Sequence, residues 1–298
     1  MAEMTARANG IEIAYEEFGD QRDPTILLIM GLGVQMLGWD AEFCALLAAR
    51  GFRVVRFDNR DAGRSTSVEG GPRPDVIAVL AGDLGSVSYT LTDMADDCAG
   101  LLDNLDVPAA HLVGASQGGM IGQVLAIQRP ERVLSLASMM STTGDPTVGQ
   151  PHPEALPALM TRPPADRDGY AEVAVAAWRV IGSPGFDPDE DALRARARAS
   201  YDRGINPDGT ARQLVAIIAS GDRTEALGTL DIPTVVIHGT DDALIDVSGG
   251  RATAAAIPGA ELVLIEGMGH DLPRALWPRF ADLIVANAER ARSLERSS

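Results

Sequence analysis

The pattern of apolar positions predicts several short β-strands, most of them buried on both faces. Strands of a parallel sheet are apolar nearly throughout, whereas a half-exposed strand alternates apolar and polar residues. Residues 11–17 alternate in this second way and are also predicted to form a strand. The more continuous runs occupy residues 25–30, 53–57, 112–113, 133–139, 234–237 and 260–265.

Stretches with the spacing of an amphipathic helix lie between these strands. They cover residues 41–50, 92–105, 120–129 and 278–290. Because strands alternate with helices, we predict an α/β protein whose parallel sheet has right-handed crossovers. Residues 69–88 contain several glycines and prolines and lack a periodic pattern, so we expect a loop there.

The character of the chain changes between residues 142 and 222. Prolines cluster in the first part of this stretch, and helical patterns follow at residues 169–181, 189–201 and 210–219. No strand pattern interrupts them. We interpret residues 142–222 as a helical cap that is inserted into an α/β core formed by residues 1–141 and 223–298.

A Gly-x-Ser-x-Gly motif follows the strand that begins at His111. Its members are Gly114, Ser116 and Gly118, and a helical pattern begins at Met120. A serine at a sharp strand-to-helix turn has its hydroxyl raised above the sheet, where it can act as a nucleophile. The flanking glycines let the strand and the helix approach closely. The alternative is a glycine-rich turn with an incidental serine, but the strand before and the helix after favour a nucleophile elbow.

A serine nucleophile needs a base and a group that orients the base. Catalytic groups of open parallel sheets collect beyond the carboxyl ends of the strands, and His270 and Asp242 follow two such strands. The order Ser116, Asp242, His270 is the order of the α/β-hydrolase triad. Asp241 and Asp246 remain competitors for the acidic position.

Three other histidines are less suited to be the base. His238 lies at a strand end, His111 begins the elbow strand on the opposite edge, and His152 lies in a proline-rich stretch. We expect His238 to be oriented by backbone hydrogen bonds.

An oxyanion hole requires two backbone N–H groups directed at the substrate oxygen. One is expected from Gln117, which follows the nucleophile, and the other from Leu32, which follows a central strand. A set of adaptable methionines, two tryptophans and one glycine is predicted to contact the substrate, and the alternative for each is ordinary core packing. This set comprises Gly31, Met36, Trp39, Met120, Met140, Met160, Trp178 and Met268.

Composition excludes several other functions. The 25 basic residues are all arginine, so chemistry that needs a lysine is impossible. The four histidines lack the spacing of metal ligands, and we expect neither a metal nor a cofactor. A net charge of −17 disfavours nucleic acid and anionic membranes and favours neutral or cationic small molecules, unless it serves only solubility.

The cellular setting is predicted from two other features. The two cysteines, Cys44 and Cys98, set up no disulfide framework, and the N-terminus lacks an apolar signal core. No apolar run reaches the length of a membrane span. We therefore expect a cytoplasmic protein, and the sequence leaves open whether it forms a homodimer.

These motifs resemble the α/β-hydrolase superfamily over nearly the whole chain. Within it, residues 30–33, 37–39, 57–66 and 267–273 resemble the aclacinomycin methylesterase-like carboxylesterases. The resemblance implies a mostly parallel, eight-stranded sheet with a helical cap. It also implies Ser116 as nucleophile, Asp242 and His270 as its partners, and Leu32 and Gln117 as oxyanion donors.

The expected reaction is hydrolysis of a carboxylic ester of a small, bulky, hydrophobic molecule through an acyl-enzyme. A lactonase, thioesterase, amidase, C–C hydrolase or perhydrolase would use the same triad, and the sequence does not separate these. Dehalogenases and epoxide hydrolases of this fold use an aspartate at the elbow, so Ser116 argues against both. A non-catalytic ligand-binding protein of this fold is the rival from another class.

Overall fold

The candidate site lies at the carboxyl ends of the strands. The computed structural model describes residues 3–161, 164 and 166–295 of the chain. Its strands are β1 (Met4–Ala8), β2 (Ile11–Phe18), β3 (Thr25–Ile29), β4 (Arg53–Phe57), β5 (Ala110–Ala115), β6 (Val133–Met139), β7 (Thr234–Gly239) and β8 (Glu261–Ile265).

All of these strands belong to one sheet, in the order β1-β2-β4-β3-β5-β6-β7-β8. From β4 to β8 every neighbouring pair is parallel, while β1 pairs antiparallel with β2 and β2 pairs antiparallel with β4. This confirms the predicted α/β fold with a mostly parallel, eight-stranded sheet. Because β5, β7 and β8 are parallel, the segments that follow them emerge at the same edge.

The helices lie between the strands. They are α1 (Ala41–Ala48), α2 (Val76–Leu80), α3 (Leu91–Asn104), α4 (Gln117–Gln128), α5 (Ala155–Met160), α6 (Arg167–Ile181), α7 (Glu190–Arg203), α8 (Pro207–Ser220), α9 (Thr224–Leu227), α10 (Val247–Ala256) and α11 (Trp277–Glu295).

Strand β3 shows how the sheet is buried on both faces. Its alternate side chains belong to two separate apolar clusters: Leu27 and Ile29 pack into one, and Ile26 and Leu28 pack into the other. All four side chains are fully buried. A continuous apolar run was therefore the right signal for a central parallel strand, because neither face meets water.

Several elements differ from the predictions. Strand β1 was not recognised, and the stretch expected to be a loop contains the short helix α2. Helix α3 begins at Leu91 because Thr90 and Asp93 form a reciprocal capping box. The cap is therefore Thr90, two residues before the predicted start of the helix at Thr92. The strand was missed because its pattern is short, and the helix because it has a single buried side chain, Val79.

Between β6 and β7 the described residues form helices α5 to α9 and no strand. This agrees with the helical character that the sequence predicts for residues 142–222, whereas the division into a cap and a core stays a prediction. Within the described residues, none of the helices combines the length and the hydropathy that a membrane span requires.

Candidate active site

Ser116 occupies a strained turn between β5 and α4. Its backbone has φ 56° and ψ −121°, a conformation that is rare for a residue with a side chain. The N–H of Ser116 donates to the carbonyl of Met139 at 2.9 Å, which ties the turn to the neighbouring strand. The serine is partly exposed, although most of β5 and α4 around it is buried. This backbone is the one that a nucleophile elbow requires.

The two glycines of the motif are required by close packing. A Cβ added at Gly114 would lie 2.2 Å from the carbonyl oxygen of Gly118. A Cβ added at Gly118 would lie 2.0 Å from the carbonyl oxygen of Ile29 in the next strand. Both distances are far below van der Waals contact, so no side chain fits at either position.

His270 and Asp242 form a buried pair at the same edge of the sheet. The Nδ1 of His270 lies 2.8 Å from Oδ2 of Asp242. The other carboxylate oxygen, Oδ1, accepts the N–H groups of Leu244 and Ile245 at 2.9 and 2.8 Å. The imidazole is thus oriented by a carboxylate that is itself held by the backbone.

The electrostatics of the pair keep Asp242 ionised. Burial opposes the charged form, but the neighbouring His270 and His238 outweigh it and hold the pKa of Asp242 well below its usual range. An ionised carboxylate can both fix the tautomer of His270 and stabilise its cation.

The loop that carries His270 is anchored by the last residue of α6 and by the segment that follows this helix. The N–H of His270 donates to the carbonyl of Ile181 at 2.7 Å, and the N–H of Gly269 donates to Oγ of Ser183 at 2.8 Å. A Cβ at Gly269 would lie 2.3 Å from the carbonyl oxygen of Gly182. Residues from the predicted cap therefore fix the position of this loop.

The competing acids have other hydrogen-bond partners. Asp241 accepts the N–H of Gly267 at 3.0 Å, and Asp246 caps α10 by accepting the N–H of Ser248 at 2.9 Å. Among the described residues, neither carboxylate forms a hydrogen bond or ion pair with His270. Of the three predicted acids, Asp242 is thus the one that contacts His270 among the described residues, and its catalytic role stays a prediction.

The other histidines lie in different surroundings. Nε2 of His238 contacts the carbonyl oxygen of Ile245 at 2.8 Å, the backbone hydrogen bond that was expected. His111 is buried at the start of β5 with its Nδ1 2.9 Å from Oγ of Ser135. The side chain of His152 is half exposed.

The two proposed oxyanion donors carry unpaired N–H groups. Within the part of the chain that the structure describes, the backbone N–H groups of Leu32 and Gln117 have no protein acceptor. Gln117 is the first residue of α4, where N–H groups lack an intrahelical partner. Gly31 is close to the nucleophile: a Cβ added there would lie 3.1 Å from Cβ and 3.5 Å from Oγ of Ser116.

Gln213, a buried residue of α8, supports the loop of residues 30–35 that follows β3, and this role was not predicted; we call this segment the oxyanion loop because it carries the predicted donor Leu32. Its Oε1 accepts the N–H of Gly33 at 2.8 Å, and its Nε2 donates to the carbonyl of Arg60 at 2.7 Å. The sequence pattern offers no signal for this role, because a glutamine within a helical stretch resembles a surface residue.

Asp58 also supports the oxyanion loop, through a hydrogen bond to the backbone at the end of this loop. Its carboxylate accepts the N–H of Met36 at 2.7 Å and the N–H of Arg64 at 3.0 Å, and it pairs with Arg203 of α7. Burial raises the pKa of Asp58 to about 6, although the two backbone hydrogen bonds act in the opposite direction. The sequence placed Asp58 in a family-like stretch but did not predict this contact.

The residues predicted to contact the substrate are mostly buried. Met36, Trp39 and Met268 are fully buried, while Met120 and Met140 are nearly so. Trp178 is partly buried and packs against the cluster formed by Ala155, Ile181 and Ala243. The side chain of Met160 lies outside the part of the chain that the structure describes. The contacts of all these residues with a substrate stay predictions. The meeting of Ser116 and His270 also stays a prediction, since no hydrogen bond joins the two side chains among the described residues.

Comparison with known proteins gives the family. A family model described as the alpha/beta hydrolase fold matches residues 24–273. The chain belongs to this family. Rhodomycin D methylesterase DnrP from Streptomyces peucetius is 30% identical over 295 residues, covering 93% of this chain and 94% of the relative. Because the chain belongs to this family and these similar proteins are named as esterases, the chain is a hydrolase.

Solved structures of the same fold cover nearly the whole chain. The enol-lactonase from Burkholderia xenovorans superposes with a TM-score of 0.73 at 26% identity, covering 95% of this chain and 99% of that one. The meta-cleavage product hydrolase CumD from Pseudomonas fluorescens gives a TM-score of 0.75 at 21% identity, with coverage of 97% and 98%. At the latter identity the likeness shows the fold alone.

Proposed function

We propose that this protein is a serine esterase that cleaves carboxylic esters of small molecules with Ser116, His270 and Asp242. The observation that carries the proposal is the 2.8 Å contact between His270 and Asp242, at the sheet edge where β5 ends in the strained Ser116. A non-catalytic ligand-binding protein would have no need of a strained serine, an oriented imidazole and a buried carboxylate together.

The reaction begins when Oγ of Ser116 attacks the ester carbonyl while His270 removes the hydroxyl proton. The N–H groups of Leu32 and Gln117 stabilise the oxyanion of the tetrahedral intermediate. His270 then protonates the leaving alcohol, which gives an acyl-enzyme. Water, deprotonated by His270, attacks the acyl-enzyme and releases the acid and the free serine. Asp242 stabilises the imidazolium in both halves of the cycle.

The similarity to rhodomycin D methylesterases supports an ester of a bulky hydrophobic molecule as substrate. The unpaired N–H groups of Leu32 and Gln117 support a substrate whose carbonyl oxygen becomes negative during the reaction. We place the enzyme in the cytoplasm because its two cysteines are buried and unpaired. It needs no macromolecular partner for this chemistry.

Replacement of the nucleophile tests the proposal. We expect Ser116→Ala to lower kcat for p-nitrophenyl esters by roughly 10⁴ to 10⁶, because the acyl-enzyme can no longer form. Ser67→Ala is the matched control, since this serine is exposed and distant in the sequence from the three triad residues.

Covalent labelling gives a second readout. A fluorophosphonate is expected to modify Ser116 of the wild type and to leave Ser116→Ala unlabelled, as measured by intact mass and peptide mapping. Turnover close to the wild-type rate in Ser116→Ala, or labelling at another serine, would refute the proposed function.

A further inference from the structure

Helix α7 extends between the two loops that frame the candidate active site. Just before its start, the N–H of Gly185 donates to the carbonyl of Gly267 in the histidine loop at 2.8 Å. At its end, Nε2 of Gln35 donates to the carbonyls of Ser200 and Gly204 at 2.9 and 2.8 Å. The 14 residues of α7 span about 21 Å, so its middle lies over the space between the two loops.

Arg196 occupies the middle of α7, on the side that faces the oxyanion loop. Positions four and seven residues later share its face, and they are Ser200 and Arg203. Arg203 reaches Gln35 and Asp58, which hold the oxyanion loop. Arg196 therefore lies on the same face of α7 as Arg203, and the charge of Asp271, the residue after His270, acts on it.

The other arginines of α7 all have acidic partners. Arg194 binds Glu172 at 2.8 Å, Arg198 binds Asp168 at 2.7 Å, and Arg203 is paired with Asp58. Arg196 forms no hydrogen bond and no ion pair with any residue that the structure describes. An unpaired arginine is unexpected in a chain with 42 acidic and 25 basic residues.

Arg196 is neither fully buried nor fully exposed. Its side chain is partly accessible to solvent. Burial nevertheless lowers the pKa of Arg196, and the charges of Asp40 and Asp271 only partly oppose this effect. The guanidinium is therefore partly removed from water and still accessible to a small solute.

The two nearby acids already have other partners. Asp40 caps α1 by accepting the N–H of Glu42 at 2.8 Å. Asp271 accepts a hydrogen bond from Oγ of Ser183. Neither lies within ion-pair distance of Arg196, so the fork of donors on the guanidinium is free for a ligand.

We propose that Arg196 binds an anionic group of the substrate and makes the enzyme selective for esters that also carry a carboxylate. A planar guanidinium can hold a carboxylate through two parallel hydrogen bonds. The inference rests on the proposed esterase function and specifies its substrate class. It replaces the expectation, drawn from the net charge of −17, that neutral or cationic substrates are preferred. Long-range repulsion is screened over about 8 Å at physiological salt, whereas a direct contact is not.

Matched ester pairs test this selectivity. Mono-p-nitrophenyl glutarate and p-nitrophenyl pentanoate differ in the charge of the acyl group, and 4-acetoxybenzoate and phenyl acetate differ in the charge of the leaving group. We expect Arg196→Gln to lower kcat/KM for the charged member of at least one pair by about 10- to 100-fold, because a hydrogen bond between charged groups is lost. The neutral member should change by less than about 2-fold.

Two further variants separate a binding role from a structural one. Arg196→Lys keeps the charge but not the paired donors, so it should restore part of the lost activity. Arg198→Gln, on the same helix, removes an exposed pair with Asp168 and should leave both members of each pair unchanged. Equal losses on charged and neutral esters in Arg196→Gln would overturn the inference.

A binding measurement does not depend on turnover. Glutarate is titrated into Ser116→Ala by calorimetry, with and without the additional Arg196→Gln change. Weaker binding by about 10-fold or more in the double variant supports the inference, and equal affinity or no binding in both proteins overturns it. Absence of ester hydrolysis in the wild type would refute the proposed function and would leave this binding result to decide the role of Arg196.

Discussion

At the scale of single residues, the carboxylate of Asp242 contacts two imidazoles but can serve only one as a catalytic partner. Its Oδ2 lies 2.8 Å from Nδ1 of His270 and 3.4 Å from Nε2 of His238. Nε2 of His238 also contacts the carbonyl oxygen of Ile245, so it must carry a proton and act as a donor. His238 is fully buried, whereas His270 is in the loop at the sheet edge that also carries Ser116. These contacts favour His270 over His238 as the proposed catalytic base.

Replacement of Asp242 with asparagine tests this assignment. An amide cannot stabilise the imidazolium and favours the wrong tautomer of His270, so we expect kcat to fall by about 10⁴. Asp241→Asn is the matched control, because Asp241 binds Gly267 and not the imidazole, and its kcat should stay within about 3-fold of the wild type. The measurement is steady-state turnover of a p-nitrophenyl ester. Equal losses in the two variants would contradict the assignment.

At the scale of elements, helices of the predicted cap hold the oxyanion loop and the loop that carries His270. Gln213 of α8 binds the backbone of Gly33, and Arg203 of α7 pairs with Asp58 under the same loop. On the opposite side, Ile181 at the end of α6 accepts the N–H of His270. Helices α6, α7 and α8 thus help to position the loops that carry the predicted site residues.

Removal of the Gln213 side chain tests this positioning role. We expect Gln213→Ala to lower kcat by about 10- to 100-fold with a smaller change in KM, because a displaced oxyanion donor weakens transition-state binding most. Gln128→Ala, which removes an exposed glutamine of α4, is the control. The variants are compared by kcat, KM and thermal unfolding. A loss of stability with unchanged kcat would show that Gln213 is purely structural.

At the scale of the whole molecule, folding encloses ionisable groups within the central sheet. His111 lies in β5, between β3 and β6, and is 1% exposed. Burial, together with the charge of Arg292, lowers the pKa of His111 from 6.5 to about 4. The unfolded chain therefore binds a proton between these pH values that the folded chain does not bind. By linkage, His111 does not lower the free energy of unfolding above about pH 6.5, and it lowers this free energy increasingly as the pH falls toward 4.

The pH dependence of unfolding tests this effect. Between pH 7.5 and 4.5, protonation of His111 in the unfolded chain should lower the free energy of unfolding by about 2–3 kcal/mol. The variant His111→Gln should lack this loss. The measurement is urea unfolding of both proteins at the two pH values. The difference between the variants isolates His111 from Asp58, whose raised pKa acts in the opposite direction. Parallel pH profiles would disprove the assignment.

The amino-acid sequence by itself determined the features that depend on neighbouring residues. Apolar runs marked the buried strands, and the spacing of Gly114, Ser116 and Gly118 marked the elbow, because each reports the local backbone or the packing of one strand on one helix. The sequence placed Asp242 and His270 directly after two strands. Because these strands are parallel neighbours, the two residues lie at the same edge of the sheet. Short elements such as β1 and α2 were missed because so few residues carry a periodic signal.

Only the tertiary structure decided which distant side chains meet. It placed Asp242, and not Asp241 or Asp246, against His270, brought Gln213 to the oxyanion loop and left Arg196 without a partner among the described residues. These contacts join segments far apart along the chain and depend on how helices α6 to α8 pack against the loops at the sheet edge. No local pattern encodes them, because a buried glutamine and an unpaired arginine look like ordinary surface residues until the fold shows what surrounds them.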